Sequence, residues 1–147
     1  MSQSTSQRIL FLDSSPFVGG AQESFFSLLC SLPSLDFEPF LLSASIGTDS
    51  LIERAEHYGI ACQSFACRHW SLSPLGFLQY LQDTFRFRKL YRQVIRDFQP
   101  DLIHVNCLRS LLLLPHFNTD KIPVVFHDRD LSYSSFLRRL ISKRFNL

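Results

Sequence analysis

An open α/β fold, with a doubly wound parallel sheet and helices on both faces in a single domain, is predicted by three features of this sequence. Short, almost continuously apolar runs such as "RILFLD", "FEPFLLSA" and "PVVFH" recur along the chain, the signature of strands covered on both faces. Amphipathic segments of helix length alternate with them. At 147 residues, 46% hydrophobic and with 15 phenylalanines, the chain fits one domain and supplies a real core.

Each element follows in order. The first strand is Arg8 to Asp13, and after a turn bearing Pro16, Gly19 and Gly20 a helix runs from about Ala21 to Leu32. The second strand is Phe37 to Ala44. Ser50 and Glu53 form a capping box for the next helix, which Gly59 stops. The third strand covers about Ile60 to Ala66. Ser73 and Pro74 then provide an N-cap and a first-turn proline for a long helix reaching about Phe98.

Phe87, Leu90, Tyr91, Val94, Ile95 and Phe98 give that helix an apolar stripe suited to packing on a sheet. Pro100 ends it. The fourth strand is Asp101 to Val105, followed by a helix near Leu108 to Pro115 and a fifth strand from Pro123 to His127. A last helix is expected from about Tyr133 to Phe145, with Phe136, Leu137, Leu140, Ile141 and Phe145 on one face. Repeated βα units of this kind wind right-handed into a Rossmann-like sheet.

Composition narrows the function. A net charge of +2 is too small for a nucleic-acid-binding domain, which carries a concentrated basic face. The cysteines Cys30, Cys62, Cys67 and Cys107 lack the CxxC spacing of zinc sites and read as buried free thiols. The set His104, Cys107 and His127 offers no local pair with ligand spacing, so no metal site is expected. The polar start and the interruption at Asp13 exclude a secretory h-region, and no apolar run approaches the ~20 residues needed to span a bilayer. The expected setting is cytoplasmic.

In open α/β sheets the ligand lies beyond the carboxyl ends of the strands. These ends are polar here: Ser14, Ser15, Gly19 and Gly20 after the first, Arg68, His69 and Trp70 after the third, then His104, Asn106 and Arg109, and finally His127, Asp128, Arg129 and Asp130. Two interpretations of the glycine pair stand side by side. Glycine lets a backbone approach a ligand, and the following helix presents unpaired N–H groups to an anion or sugar; equally, a βα turn needs glycine for steric reasons, and the GxGxxG fingerprint is absent. His104, inside an apolar strand, also fits a structural role, and Asp128 and Asp130 fit caps of the last helix.

The segments "ILFLDSSPFVGGAQESFFSLLCSL", "PDLIHVNCLRS" and "IPVVFHDRDL" together resemble the N-terminal, acceptor-side domain of family 4 glycosyltransferases of GT-B type. The resemblance spans nearly the whole chain in order. It implies a domain paired, in complete enzymes, with a second Rossmann-like domain that binds most of a nucleotide-sugar donor. It also implies transfer of a hexose to an acceptor hydroxyl with retention, without an essential metal or cofactor. On this resemblance Gly19 and Gly20 lie against the donor phosphates and sugar, and His127 matches a histidine near the reacting sugar. His104, Asn106 and Arg109 face the cleft from the acceptor side, while Gln22 and Glu23 occupy a position where such enzymes carry a polar pair.

Complete members add a pair of glutamates separated by seven residues, which holds the donor. Here the glutamates are Glu23, Glu38, Glu53 and Glu56, none so spaced. The expectation is therefore a truncated or split chain, inactive alone, that needs a complementary C-terminal domain. A stand-alone sugar- or nucleotide-binding module, or an interaction module, is the alternative. The basic residues Arg86, Arg88, Lys89, Arg92 and Arg96, with Arg138, Arg139, Lys143 and Arg144, fit first a merely solvated face; the alternative is peripheral contact at the inner membrane face through a charged helix face, which would suit a lipid-linked acceptor.

Overall fold

A computed structural model describes residues 6–15, 18–45, 50–67, 74–115 and 122–127. Five parallel strands alternate with helices: β1 (Gln7–Asp13), α1 (Gly20–Ser31), β2 (Phe37–Ala44), α2 (Leu51–His57), β3 (Ala61–Phe65), α3 (Pro74–Phe98), β4 (Leu102–Asn106), α4 (Leu108–Leu113) and β5 (Val124–His127). The strand order is β3-β2-β1-β4-β5, so the chain winds outward from β1 in one direction and, after α3, returns to wind outward in the other. The doubly wound α/β class expected from the sequence is the class observed.

Most boundaries fall within a residue or two of the expected ones, and the differences have local causes. The first helix begins at Gly20 and gives way at Leu32–Leu35 to a 3-10 turn carrying Pro33, whose fixed φ and missing N–H interrupt the α-helical bonding pattern. Asp36, in the left-handed region at φ 62°, closes this turn. Ser50 caps α2, its Oγ accepting from the Glu53 N–H at 3.4 Å, and Gly59 at φ 68° follows the helix. The fourth strand extends one residue past Val105, which makes Asn106 a strand residue. The expected helix from Tyr133 to Phe145 lies outside the described residues.

Alternation along the strands divides the core in two. Leu10, Leu12, Leu42, Ile103 and Val105 join Phe87, Tyr91 and Val94 of α3 and Leu111 of α4 on one face. On the other, Ile9, Phe11 and Leu41 pack against Phe25, Phe26 and Leu29 of α1 and Leu51, Ile52 and Ala55 of α2. Helices therefore cover both faces, as nearly continuous apolar strands require. Arg8 fastens the amino-terminal edge of the sheet: its Nη1 donates to the Phe98 carbonyl at 3.1 Å, its backbone N–H to Asp101 Oδ2 at 2.8 Å, and its Nε to Glu38 at 3.2 Å. These contacts hold β1 between β2 and β4, and so set the register at the opposite edge.

Candidate functional site

The strand order reverses between β1 and β4, and a crevice at such a reversal is the ligand site of open α/β folds. The register places one polar residue from each strand on a single level at its carboxyl end: Ser64, Ser43, Asp13, Asn106 and His127, in sheet order β3-β2-β1-β4-β5. Because neighbours in register share a face, and Asp13 shares the parity of Ile9 and Phe11, this row lies on the α1–α2 side.

Asp13 is the most perturbed group in the row. It has no solvent exposure, and burial pushes its carboxyl from 3.8 up to about 6, against the opposing pull of the Ser15 N–H and the side chains of Gln22, Asn106 and Cys107. The Ser15 N–H donates to Oδ1 at 3.2 Å. Among the described residues Oδ2 meets no hydrogen-bonding partner of good geometry, nor do Nδ2 and Oδ1 of the equally buried Asn106. Buried polar atoms are seldom left so; a second set of such atoms, on Asp83, Thr84, Arg88 and Arg109, lies along α3 and α4.

The glycine turn resolves on inspection of its backbone. Gly19 is extended at φ −134°, and Gly20 begins α1 without left-handed geometry. Among the described residues, a Cβ built on Gly20 would meet nothing within 4 Å, and one on Gly19 only Gln22 Oε1 at 3.4 Å. Neither glycine is demanded by the turn itself. Gly19 donates its N–H to Gln22 Oε1 at 3.2 Å, and Gln22, largely buried, extends towards Asp13. Glu23 turns away: Arg54 grips it at 2.7 and 2.9 Å, which lowers its pKa and ties α1 to α2.

Cys107 follows Asn106 at φ 72° and ψ 155°, a region populated almost only by glycine and concentrated, for other residues, at functional sites. Its thiol lies 3.2 Å from Ser110 Oγ and 3.8 Å from Ser14 Oγ, while Ser110 Oγ accepts the Ser14 N–H at 2.8 Å. This small network clamps the start of α4 to the end of β1. Burial pushes the thiol pKa up, so it is poorly suited to be a nucleophile.

The remaining candidate residues separate. His104 packs its ring against Phe11 and Phe25, centroids 5.0 and 5.6 Å away, and is 8% exposed; it floors the site from within the core. His127 is exposed at the end of β5, its ring 6.0 Å from that of His104 and its carbonyl accepting from the Cys107 N–H at 3.3 Å. Arg109 belongs to the other layer, where its Nη2 reaches Cys67 Sγ at 3.1 Å. Thus Gly19, Asn106, His104 and His127 belong to the α1 side of the crevice, and Arg109 braces its far wall. Arg68, His69, Trp70, Asp128, Arg129 and Asp130 lie outside the described residues. No group of three or more His, Cys, Asp or Glu side chains among the described residues is arranged to hold a metal ion.

Asp13 is the buried polar residue that the strand-end pattern did not single out, whereas Gln22 entered only through the family resemblance. A signal was present, since a carboxylate closing an apolar central strand is costly to bury and rarely retained without use.

No protein-family model matches the sequence, and no curated protein matches it. Among solved structures, the chain is similar to Anabaena Alr3699/HepE in complex with UDP and glucose, with a TM-score of 0.59 and 21% identity over 95% of this chain and 36% of that one. The same protein in complex with UDP-glucose matches with a TM-score of 0.58 at 22% identity, over 93% of this chain and 34% of that one. A glycosyltransferase from Rickettsia africae gives a TM-score of 0.58 at 16% identity, over 94% of this chain and 35% of that one. The chain spans about a third of the length of these proteins, and what it shares with them is its Rossmann-like α/β fold.

Proposed function

We propose that this chain forms the acceptor-side wall of a GT-B glycosyltransferase of the family 4 kind, completed by a donor-binding domain that closes over the crevice. The observation that carries this reading is the turn at Gly19 and Gly20, which leaves open space where the fold would tolerate side chains, next to the buried Asp13 and Asn106 at the sheet reversal. Glycine is a favoured residue at the N-cap position of Gly19. At Gly20, inside the helix, it forfeits backbone entropy relative to alanine, and close approach by a ligand is a function that offsets that loss. The fold shared with a protein solved in complex with UDP-glucose supports a nucleotide sugar as the ligand of this reading, whose acceptor is a sugar or lipid-linked sugar hydroxyl.

In this reading the backbone N–H groups of the first turn of α1 face the donor phosphates and sugar, and His127 stands at the crevice mouth near the reacting carbon. One wall does not align donor with acceptor. The 147-residue chain alone is therefore expected to release no glycoside from UDP-glucose, whereas a chain joined to a donor-binding domain turns over. In that joined protein Gly20→Val abolishes transfer while the fold persists. Transfer by the isolated chain, or turnover indifferent to Gly20→Val, contradicts the proposal.

A further inference from the structure

The sequence suggests that only a charged face of α3 is free once its apolar stripe has packed on the sheet. The structure corrects this. Leu75, Leu78, Leu81 and Phe85 also stand out into solvent, with Phe85 74% exposed. At 3.6 residues per turn, Leu78, Leu81, Phe85, Lys89, Arg92 and Arg96 fall within an arc of about 80°, opposite the buried Phe87, Tyr91 and Val94. Lys89, Arg92 and Arg96 are all exposed. No acidic residue shares the arc: Asp83 is buried, and Asp97 lies outside it. The helix thus carries one outward face that is apolar along its first half and basic along its second.

We propose that this face docks on an anionic lipid bilayer, with Leu78, Leu81 and Phe85 at the boundary between headgroups and acyl chains and Lys89, Arg92 and Arg96 on the headgroups. A helix lying in the interface plane needs an apolar surface and positive charge along one side. Charge also argues against a second copy of the chain. Parallel apposition sets the basic halves against each other, and antiparallel apposition sets each basic half on the other's apolar half. The inference stands on α3 alone and is independent of whether the chain takes part in sugar transfer.

The test is flotation of the full chain with phosphatidylcholine vesicles, with and without phosphatidylglycerol. Binding to the anionic vesicles, weakened by salt and slight on the neutral ones, is expected. Leu78→Ser combined with Phe85→Ser should reduce partitioning at least about tenfold, from the apolar area withdrawn from the interface. Arg92→Glu should reduce it about fivefold or more. These side chains are exposed, so circular dichroism should match the wild type; should the apolar double variant fail to fold, Arg92→Glu with Arg96→Glu decides by the same readout. No partitioning onto anionic vesicles overturns the proposal. Partitioning that the variants leave intact does so too, as does a dimer that Phe85→Ser disperses in a chain that ignores vesicles.

Discussion

Asp13 and Asn106 are register partners at the last residues of β1 and β4, both fully buried. They face each other across the seam where the sheet changes its direction of winding. A carboxyl held near 6 titrates close to neutrality, which links the chemistry of this position to the stability of the whole domain.

The sign of that linkage follows from the direction of the shift. A carboxyl raised on folding contributes stability that is complete below its unfolded value near 3.8 and is lost as pH climbs through about 6. Asp13→Asn removes the dependence. Urea unfolding should find the variant equal to wild type near pH 4 and more stable by up to about 3 kcal/mol near pH 7.5. A difference that does not change between these pH values would show that Asp13 is not the group responsible.

At Gly20 the expectations for fold and function diverge. Gly20→Ala should leave stability unchanged or raise it by up to about 1 kcal/mol, because its Cβ enters open space. Gly20→Val should unfold at nearly the wild-type temperature and yet, on the proposed function, prevent binding of a nucleotide sugar by the chain joined to a donor-binding domain. Thermal melts and titration calorimetry separate the two effects, and a large drop in melting temperature for Gly20→Ala would return the glycine to a structural role.

The two histidines should behave oppositely. His104→Ala empties a place beside Phe11 and Phe25 and should cost about 2–3 kcal/mol. His127→Ala, at an exposed position, should change stability by no more than about 0.5 kcal/mol while, on the proposed function, lowering turnover of the chain joined to a donor-binding domain. Equal destabilisation by both substitutions would remove the distinction drawn between them.

Cys107 supplies a test of stored backbone strain. Cys107→Gly and Cys107→Ala both lose the thiol contacts with Ser110 and Ser14, but only glycine relaxes φ 72°. The glycine variant should therefore be the more stable of the two by about 1–2 kcal/mol. Chemical denaturation of the pair measures this directly, and equal midpoints would mean that the strain is absent in solution.

Strands were the easiest elements to see in the sequence, because a strand covered on both faces must be apolar throughout, and Phe37–Ala44 is found where the run "FEPFLLSA" stands. Ser50 and Gly59 announced the ends of α2 through backbone chemistry that is local. The partnership of Asp13 with Asn106 was not visible in this way. It depends on β4 inserting beside β1, and no local pattern encodes that pairing. The placement of Arg109 failed to show for a similar reason, since helical position fixes which residues share a face but not which layer a six-residue helix joins. The exposed first half of α3 was hidden because the apolar stripe read from the sequence begins at Phe87, and the apolar residues ahead of it carry no local mark of which side of the helix the sheet covers.

Pairing of the central strand with a segment far along the chain also bears on when the site comes into being. Arg8 and Asp101, which bond at the lower edge of this pairing, are 93 residues apart. At a synthesis rate of roughly 5–20 residues per second, about 5–20 seconds separate the emergence of β1 from that of β4. During that interval β1 can pair with β2 while its other edge stays open, and open strand edges invite association with other chains. Asp13 keeps its water until β4 arrives, which delays the cost of burying it to a late step of folding. A charged group at this edge therefore deters misassembly of the nascent chain before it is buried.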